Sequence, residues 1–182
     1  FANKKMAIDI TYNAKMRRTS ICGATETILC HKDIAKQVLP HLLEKLLNAG
    51  CEIRGDNDVA SLSKKVKKAS SQDWEKEYLD SIVSIKVVNS LNEAIKHINN
   101  YSSKHTEAII TNSTKNAKLF LTEIESAIVM HNTSTQFSDG AEFGLGAEIG
   151  ISTGKLHARG PVGTQELTTY KYIVKGNGQL RQ

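Results

Sequence analysis

The feature that most constrains this chain is the alternation of strand-like and helix-like stretches between residues 26 and 132. Short runs rich in β-branched residues lie at 26–31 (ETILCH), 51–55 (CEIRG), 81–88 (SIVSIKVV), 107–111 (EAIIT) and 127–132 (AIVMHN). Between most of them the apolar residues recur with the 3.6-residue period of a helix packed on one face. Over residues 33–48 the stripe is Ile34, Val38, Leu39, Leu42, Leu43, Leu46 and Leu47, with Gly50 as a natural stop. Pro40 conflicts with that helix, because proline deletes a backbone donor, and it predicts a kink or a late start. Ala7, Ile8, Ile10 and Ala14 predict a short first helix. Ser90-Leu91-Asn92-Glu93 is a capping-box pattern ahead of Ala94, Ile95, Ile98 and Tyr101. Residues 113–125 carry Ala117, Phe120, Leu121 and Ile124 on one face. Repeated strand–helix–strand connections imply an α/β fold: a largely parallel sheet with flanking helices and right-handed crossovers.

Two stretches break the pattern. Residues 56–71 are polar and read as irregular. After Ser138 the texture changes: nine of the twelve glycines lie at or beyond Gly140. Residues 140–163 therefore read as a return segment rather than a core element, with Gly144 and Gly146 expected to need backbone conformations closed to larger residues. Residues 167–174 (LTTYKYIV) read as a strand, followed by a Gly176-Asn177-Gly178 turn. The expected organisation is an α/β unit over 1–139, the glycine-rich return over 140–163 and a C-terminal β tail over 164–182.

Composition excludes several classes. With 40% hydrophobic and 24% charged residues, the 182-residue chain is globular rather than disordered. No long uncharged apolar run marks a membrane span, and residues 1–18 lack the unbroken apolar core of a signal peptide. The chain opens on Phe1, so it reads as trimmed or as a piece of something longer. The net charge of +5 is thinly spread, and 5% aromatics leave little for base stacking, so no nucleic-acid or membrane partner is expected. The run Lys64-Lys65-Val66-Lys67-Lys68 reads as a solvated face. Three cysteines make no disulfide scaffold and, without a secretion signal, point to the cytoplasm.

Cys30 and Cys51 fall inside expected strands and read as small buried hydrophobes. Cys22 lies in a loop, after Arg17 and Arg18 and before Gly23. Nearby positive charge lowers a thiol pKa and a glycine permits close approach, so Cys22 is the candidate nucleophile. The six histidines have no metal-ligand spacing and no CxxC occurs, so no metal site is expected. His105 and His131 flank strands and read as polar packing. No dinucleotide fingerprint follows a strand.

Several blocks, in order, are more specific. ICGATETILCH around Cys22, SDGAEFGLGAEIGIS and GKLHARGPVG closely resemble the γ-glutamyl phosphate reductase family of the aldehyde dehydrogenase superfamily. The segments DWEKEYLDSIVSIKVVNSLNEAIKHIN and HTEAIITNSTKNA fit the same family. The resemblance implies a catalytic domain of aldehyde dehydrogenase type, without the N-terminal NADPH domain that makes up much of the family's length. It implies reduction of γ-glutamyl phosphate, an acyl phosphate, to glutamate 5-semialdehyde in proline synthesis. Cys22 takes the place of the nucleophile that forms a thioester, and Glu77 that of a glutamate bonding a cofactor ribose. Ser134 and Thr135 take the place of substrate-binding residues, and the tail that of a strand used in subunit contact.

Four positions depart from the family pattern: Gly23 stands for asparagine, Thr19 for proline, Gln136 for arginine and Gly154 for glutamine. Gln136 is expected to weaken the hold on an anionic substrate, since a charge-assisted hydrogen bond is worth about 1.5–3 kcal/mol. The resemblance also puts an oxyanion-stabilising asparagine outside this chain, so the isolated chain is expected to be nearly inactive. The alternatives are a degenerate, non-catalytic assembly module and a partner to a separately encoded cofactor half. A homodimer is expected through the tail.

Overall fold

The computed structural model describes residues 2–182. The first helix, α1 (Lys4–Met16), is longer than its four apolar markers suggest, because Asn3 caps it by accepting from Met6 N–H at 3.0 Å. A loop through Cys22 leads to β1 (Thr27–His31) and α2 (Lys32–Asn48). Ala35, Val38, Leu39, Leu42, Leu43 and Leu46 form the buried stripe of α2, while Ile34 and Leu47 are half-buried at its margins. The helix runs through Pro40, which faces solvent, where water can satisfy the carbonyl left without a donor. Gly50 adopts φ +81° just beyond the helix end.

β2 (Glu52–Gly55) follows, then a segment less irregular than its polarity implies. It contains the one-turn helix α3 (Asn57–Ala60) and the short strand β3 (Lys67–Lys68). Asp56 organises it: one carboxylate oxygen accepts from Val59 N–H and the other from Val87 N–H, both at 2.9 Å. Gly55 is required, because a Cβ there would sit 2.8–2.9 Å from Val59 and Val66. A 310 turn (Ser71–Trp74) precedes β4 (Ile82–Val88). Arg54, Asp73, Tyr78 and Ser84 form a hydrogen-bonded network beneath it.

Ser90 caps α4 (Leu91–Tyr101) and Ser113 caps α5 (Thr114–Glu123), each accepting from the backbone N–H three residues on. β5 (Thr106–Ile109) and β6 (Ile128–His131) lie on either side of α5.

The strands are parallel, as expected, but they form two groups. One sheet has the order β1-β4-β2-β3, and β5 pairs with β6 in another. The main core lies where α2 covers the first sheet: Leu39, Leu42, Leu46, Ile53, Val83 and Ile85 are essentially inaccessible. Each such side chain contributes about 1.5–3 kcal/mol on burial. A smaller cluster of Ile95, Phe120 and Ile124 holds α4, α5, β5 and β6 together.

The return segment holds an antiparallel pair, β7 (Gly150–Ser152) and β8 (Gly160–Val162). Gly144 and Gly146 have φ of +72° and +79°, as their sequence context predicts. The tail departs from expectation, since residues 167–174 form no strand. A strand needs a neighbouring edge, and among the described residues none pairs with it. Tyr172 and Val174 are 84% and 91% exposed.

Candidate active site

Cys22 lies on the loop from α1 to β1, and the loop is fastened on both sides. Before it, Gln136 Nε2 donates to Ala14 C=O (2.9 Å) and Arg18 C=O (3.1 Å), and Arg17 Nη1 donates to Gln136 Oε1 at 3.4 Å. After it, the Thr25 and Thr135 hydroxyls meet at 3.0 Å. Gly23 passes so close to the 310 turn Thr135–Phe137 that a Cβ would lie 3.0 Å from Thr135 C=O. The role expected of Gln136 is therefore corrected. Its side chain is buried and its amide is taken by backbone carbonyls and Arg17, so it positions the cysteine loop rather than facing an anionic substrate.

A cavity of about 770 Å³ opens beside the loop, and Cys22, Glu77, His105, Thr106 and Thr135 are among the residues that line it. Cys22 precedes β1, Glu77 precedes β4 and His105 precedes β5, so the site lies at the starts of the strands. Open parallel sheets usually bind ligands at the opposite ends. Two hydroxyl contacts bring the 310 turn back to this end: Thr25 to Thr135, and Thr106 to Ser138 at 2.7 Å.

Cys22 is exposed, whereas Cys30 and Cys51 are buried, as expected, and their thiols are pushed up to about 11 by burial. The Cys22 thiol is also raised, first by partial desolvation and then by the negative charges of Glu148 and Glu77; the backbone N–H groups of Cys22 and Gly23 oppose the shift. This corrects the expectation that Arg17 and Arg18 lower it. Arg17 is turned to Gln136, and carboxylates are the charges the thiol feels.

Glu77 is exposed and, among the described residues, makes no hydrogen bond or ion pair, leaving its carboxylate free to accept from a bound hydroxyl. Thr135 lines the cavity, while the Ser134 hydroxyl lies behind it, capping the 310 turn by accepting from Gln136 N–H at 3.3 Å. His105, read from the sequence as polar packing, lines the same cavity. Its Nδ1 meets Thr106 Oγ1 at 2.7 Å, and among the described residues its buried Nε2 has no partner. Burial lowers its pKa, against Glu77 and Glu148. Glu148 was invisible as a site residue in the sequence. It is held by Gly140 N–H, which donates to it at 2.6 Å from eight positions away. Among the described residues no cluster of metal-ligating side chains occurs, and no helix is long and apolar enough to cross a membrane.

The chain is 57% identical over 180 residues to a gamma-glutamyl phosphate reductase of Rhodospirillum rubrum, covering 99% of this chain and 42% of that protein. It is 59% identical over 180 residues to the protein of that name from Sphingopyxis alaskensis, with the same coverage. It thus spans less than half the length of these curated relatives. The crystal structure of gamma-glutamyl phosphate reductase from Thermotoga maritima superposes on all of this chain and 44% of its own, with a TM-score of 0.94 and 48% identity. The model of the Aldehyde dehydrogenase family matches residues 65–172, more than half of the chain, and the chain belongs to that family.

Proposed function

We propose that this chain is the catalytic portion of an NADPH-dependent reductase that converts γ-glutamyl phosphate to glutamate 5-semialdehyde. The observation that carries the reading is Cys22: an exposed thiol lining a cavity that Thr135, His105 and Glu77 also line, in a chain so similar to the reductases. The Cys22 thiolate attacks the acyl carbon, the carbon–oxygen bond to phosphate breaks, and inorganic phosphate leaves with the electron pair. The thioester so formed is electrophilic enough to accept hydride at its carbonyl carbon. When that carbonyl re-forms, the thiolate departs and the aldehyde is released. The backbone N–H groups of Cys22 and Gly23, which already favour the thiolate, hold the sulfur charge at both ends of the cycle.

NADPH, when bound, supplies the hydride. Glu77 fits a ribose of that cofactor, since its carboxylate is unengaged and close enough to Cys22 to raise its pKa. Thr135 offers a hydroxyl to the substrate, and Ser134 holds the turn that presents it. Without a cofactor domain to hold NADPH for hydride transfer, the chain alone is nearly inactive. We assign the protein to the cytoplasm, where its three free thiols remain reduced. The exposed tail supports a homodimer in which it pairs with the partner subunit.

The test is an NADPH-dependent assay of the chain alone and mixed with the N-terminal half of the Rhodospirillum rubrum relative. Activity only in the mixture, abolished by Cys22→Ser, is expected. A mixture that remains inactive while the two halves demonstrably bind would favour a non-catalytic assembly module.

A further inference from the structure

Glu148 stands on a glycine-rich segment, yet its place is fixed on every side. The residue before it, Ala147, is pressed against Gly163, where a Cβ would lie 2.6 Å from the Ala147 carbonyl oxygen. The residue after it, Ile149, donates its N–H to Val162 C=O at 2.8 Å, just ahead of β7. Its own Oε2 accepts from Gly140 N–H at 2.6 Å. That approach leaves no room for a side chain at Gly140, because a Cβ there would sit 2.9 Å from the Glu148 Cβ and 3.2 Å from Oε2.

The same stretch of chain reaches the nucleophile. Gly23, next to Cys22, packs on the 310 turn, and a Cβ there would lie 3.0 Å from Thr135 C=O and 3.6 Å from the Ser138 Cβ. Ser138 stands just ahead of Gly140 in the chain. Cys22 is thus connected to Glu148 through Ser138 and Gly140. The carboxylate is near enough to oppose ionisation of the thiol and to favour the charged form of His105.

Glu148 is half-buried, and among the described residues its Oε1 has no hydrogen-bond partner and the carboxylate no ion pair. An unpaired negative charge beside a nucleophilic thiol lowers the thiolate fraction and repels an acyl phosphate, so it opposes the chemistry until a cation meets it. A carboxylate fixed in advance by a backbone N–H, with one oxygen free, is suited to accept a charge-assisted hydrogen bond from an ammonium. γ-Glutamyl phosphate brings such a group: its α-ammonium lies a short carbon chain from the acyl carbon that Cys22 attacks.

We infer that Glu148 is a specificity-determining residue whose free oxygen accepts from the α-ammonium of the substrate and so selects an amino-acid acyl phosphate over one without the amino group. Binding of that ammonium also neutralises the carboxylate beside the thiol, so the nucleophile is released from the opposing charge when the right substrate is in place. The inference rests on the reductase reading for the substrate, and it leaves Glu77 to the cofactor ribose.

Labelling of Cys22 on the full chain tests it without turnover. Aminoethyl methanethiosulfonate, which carries an ammonium, is compared with the neutral propyl reagent of similar size. Both draw on the same thiolate fraction, so the ratio of their rates reports what the ammonium meets. The native ratio at Cys22, read from its peptide by mass spectrometry, should exceed that of the urea-unfolded chain by about tenfold or more. Glu148→Gln keeps an acceptor for Gly140 N–H and should bring the ratio down to the unfolded value. Glu148→Asp keeps the charge and should retain part of the preference, and Glu77→Gln should leave most of it. A native ratio equal to the unfolded one would overturn the proposal. So would a ratio that falls as far in Glu77→Gln as in Glu148→Gln, which would show a diffuse field rather than one residue. A flat ratio beside a mixture of the two halves that reduces the acyl phosphate would remove Glu148 and keep the reductase reading; a retained preference beside an inactive mixture would do the reverse.

Discussion

Lys15, wholly buried, holds its ammonium 2.7 Å from the Glu26 carboxylate, and this ion pair ties the helix before Cys22 to the strand after it. The other Glu26 oxygen accepts from Leu79 N–H at 3.2 Å, which anchors the loop carrying Glu77 as well. Burial raises the Glu26 pKa against the attraction of Lys15. Removing one partner strands the other, at a cost of about 3–5 kcal/mol. Lys15→Met should show that loss in urea denaturation, and Lys15→Met with Glu26→Gln should recover much of it. A loss under about 1 kcal/mol, the range of an exposed pair, would mean that the pair is not structurally important.

His97 should make the fold acid-sensitive. It is buried against Trp74 and Tyr101, and its pKa is lowered to about 4, mainly by burial. The unfolded chain binds a proton near pH 6.5 that the folded chain refuses, so stability falls as pH drops from about 6.5 towards 4, by on the order of 3 kcal/mol. His97→Gln should flatten that loss in melting curves taken between pH 4 and 7. An unchanged slope would defeat the assignment.

Glu107 should act in the opposite direction over nearly the same range. Burial raises its carboxyl to about 7, with Ser102 and Ser126 hydroxyls donating to it. The folded chain keeps a proton that the unfolded chain loses, so the stabilising contribution is complete below about pH 4.5 and is lost as pH rises through 7. The two groups partly cancel in the native chain. Glu107→Gln should therefore raise the melting temperature at pH 8 and leave it nearly unchanged at pH 4. The reverse order would refute the buried-acid reading.

Cys22 should be the first thiol to alkylate under native conditions, ahead of Cys30 and Cys51. Glu148→Gln should speed its modification at pH 8, because removing a carboxylate lowers the thiol pKa and raises the thiolate fraction. Slower labelling in that variant, or faster labelling of Cys30, would be evidence against the electrostatics described for the loop.

Light scattering should give a dimer for the full chain and a monomer for a version ending at Gly163. An exposed run containing Tyr170, Tyr172, Ile173 and Val174 is well suited to pairing with a neighbouring edge. The same mass per particle in both versions would rule out the tail as the contact.

Elements set by neighbouring residues were legible in the sequence. The α2 stripe and the Ser90 and Ser113 caps depend on spacings of three and four, and they fall where expected. The loop position of Cys22 was legible because it is set locally, between α1 and β1. The parts that escaped depend on distant partners. Gln136 reaches Arg17 across 119 positions, and its burial is decided there. Lys15 looks like an ordinary helix-surface lysine until Glu26 folds back over it. The break between β1 and β5 is likewise a matter of which edges meet, which strand patterns do not encode.

Placing Cys22 at the strand starts has an electrostatic consequence. In a strand–helix–strand fold that end of the sheet faces the C-termini of the helices: α1 ends just before the Cys22 loop and α4 just before His105. These are the negative poles of the helix dipoles. An anion approaching Cys22 therefore meets repulsion from the scaffold where most nucleotide-binding sheets offer attraction. The carboxylates of Glu148 and Glu77, which raise the Cys22 thiol, add to that field, while Arg17 is turned to Gln136.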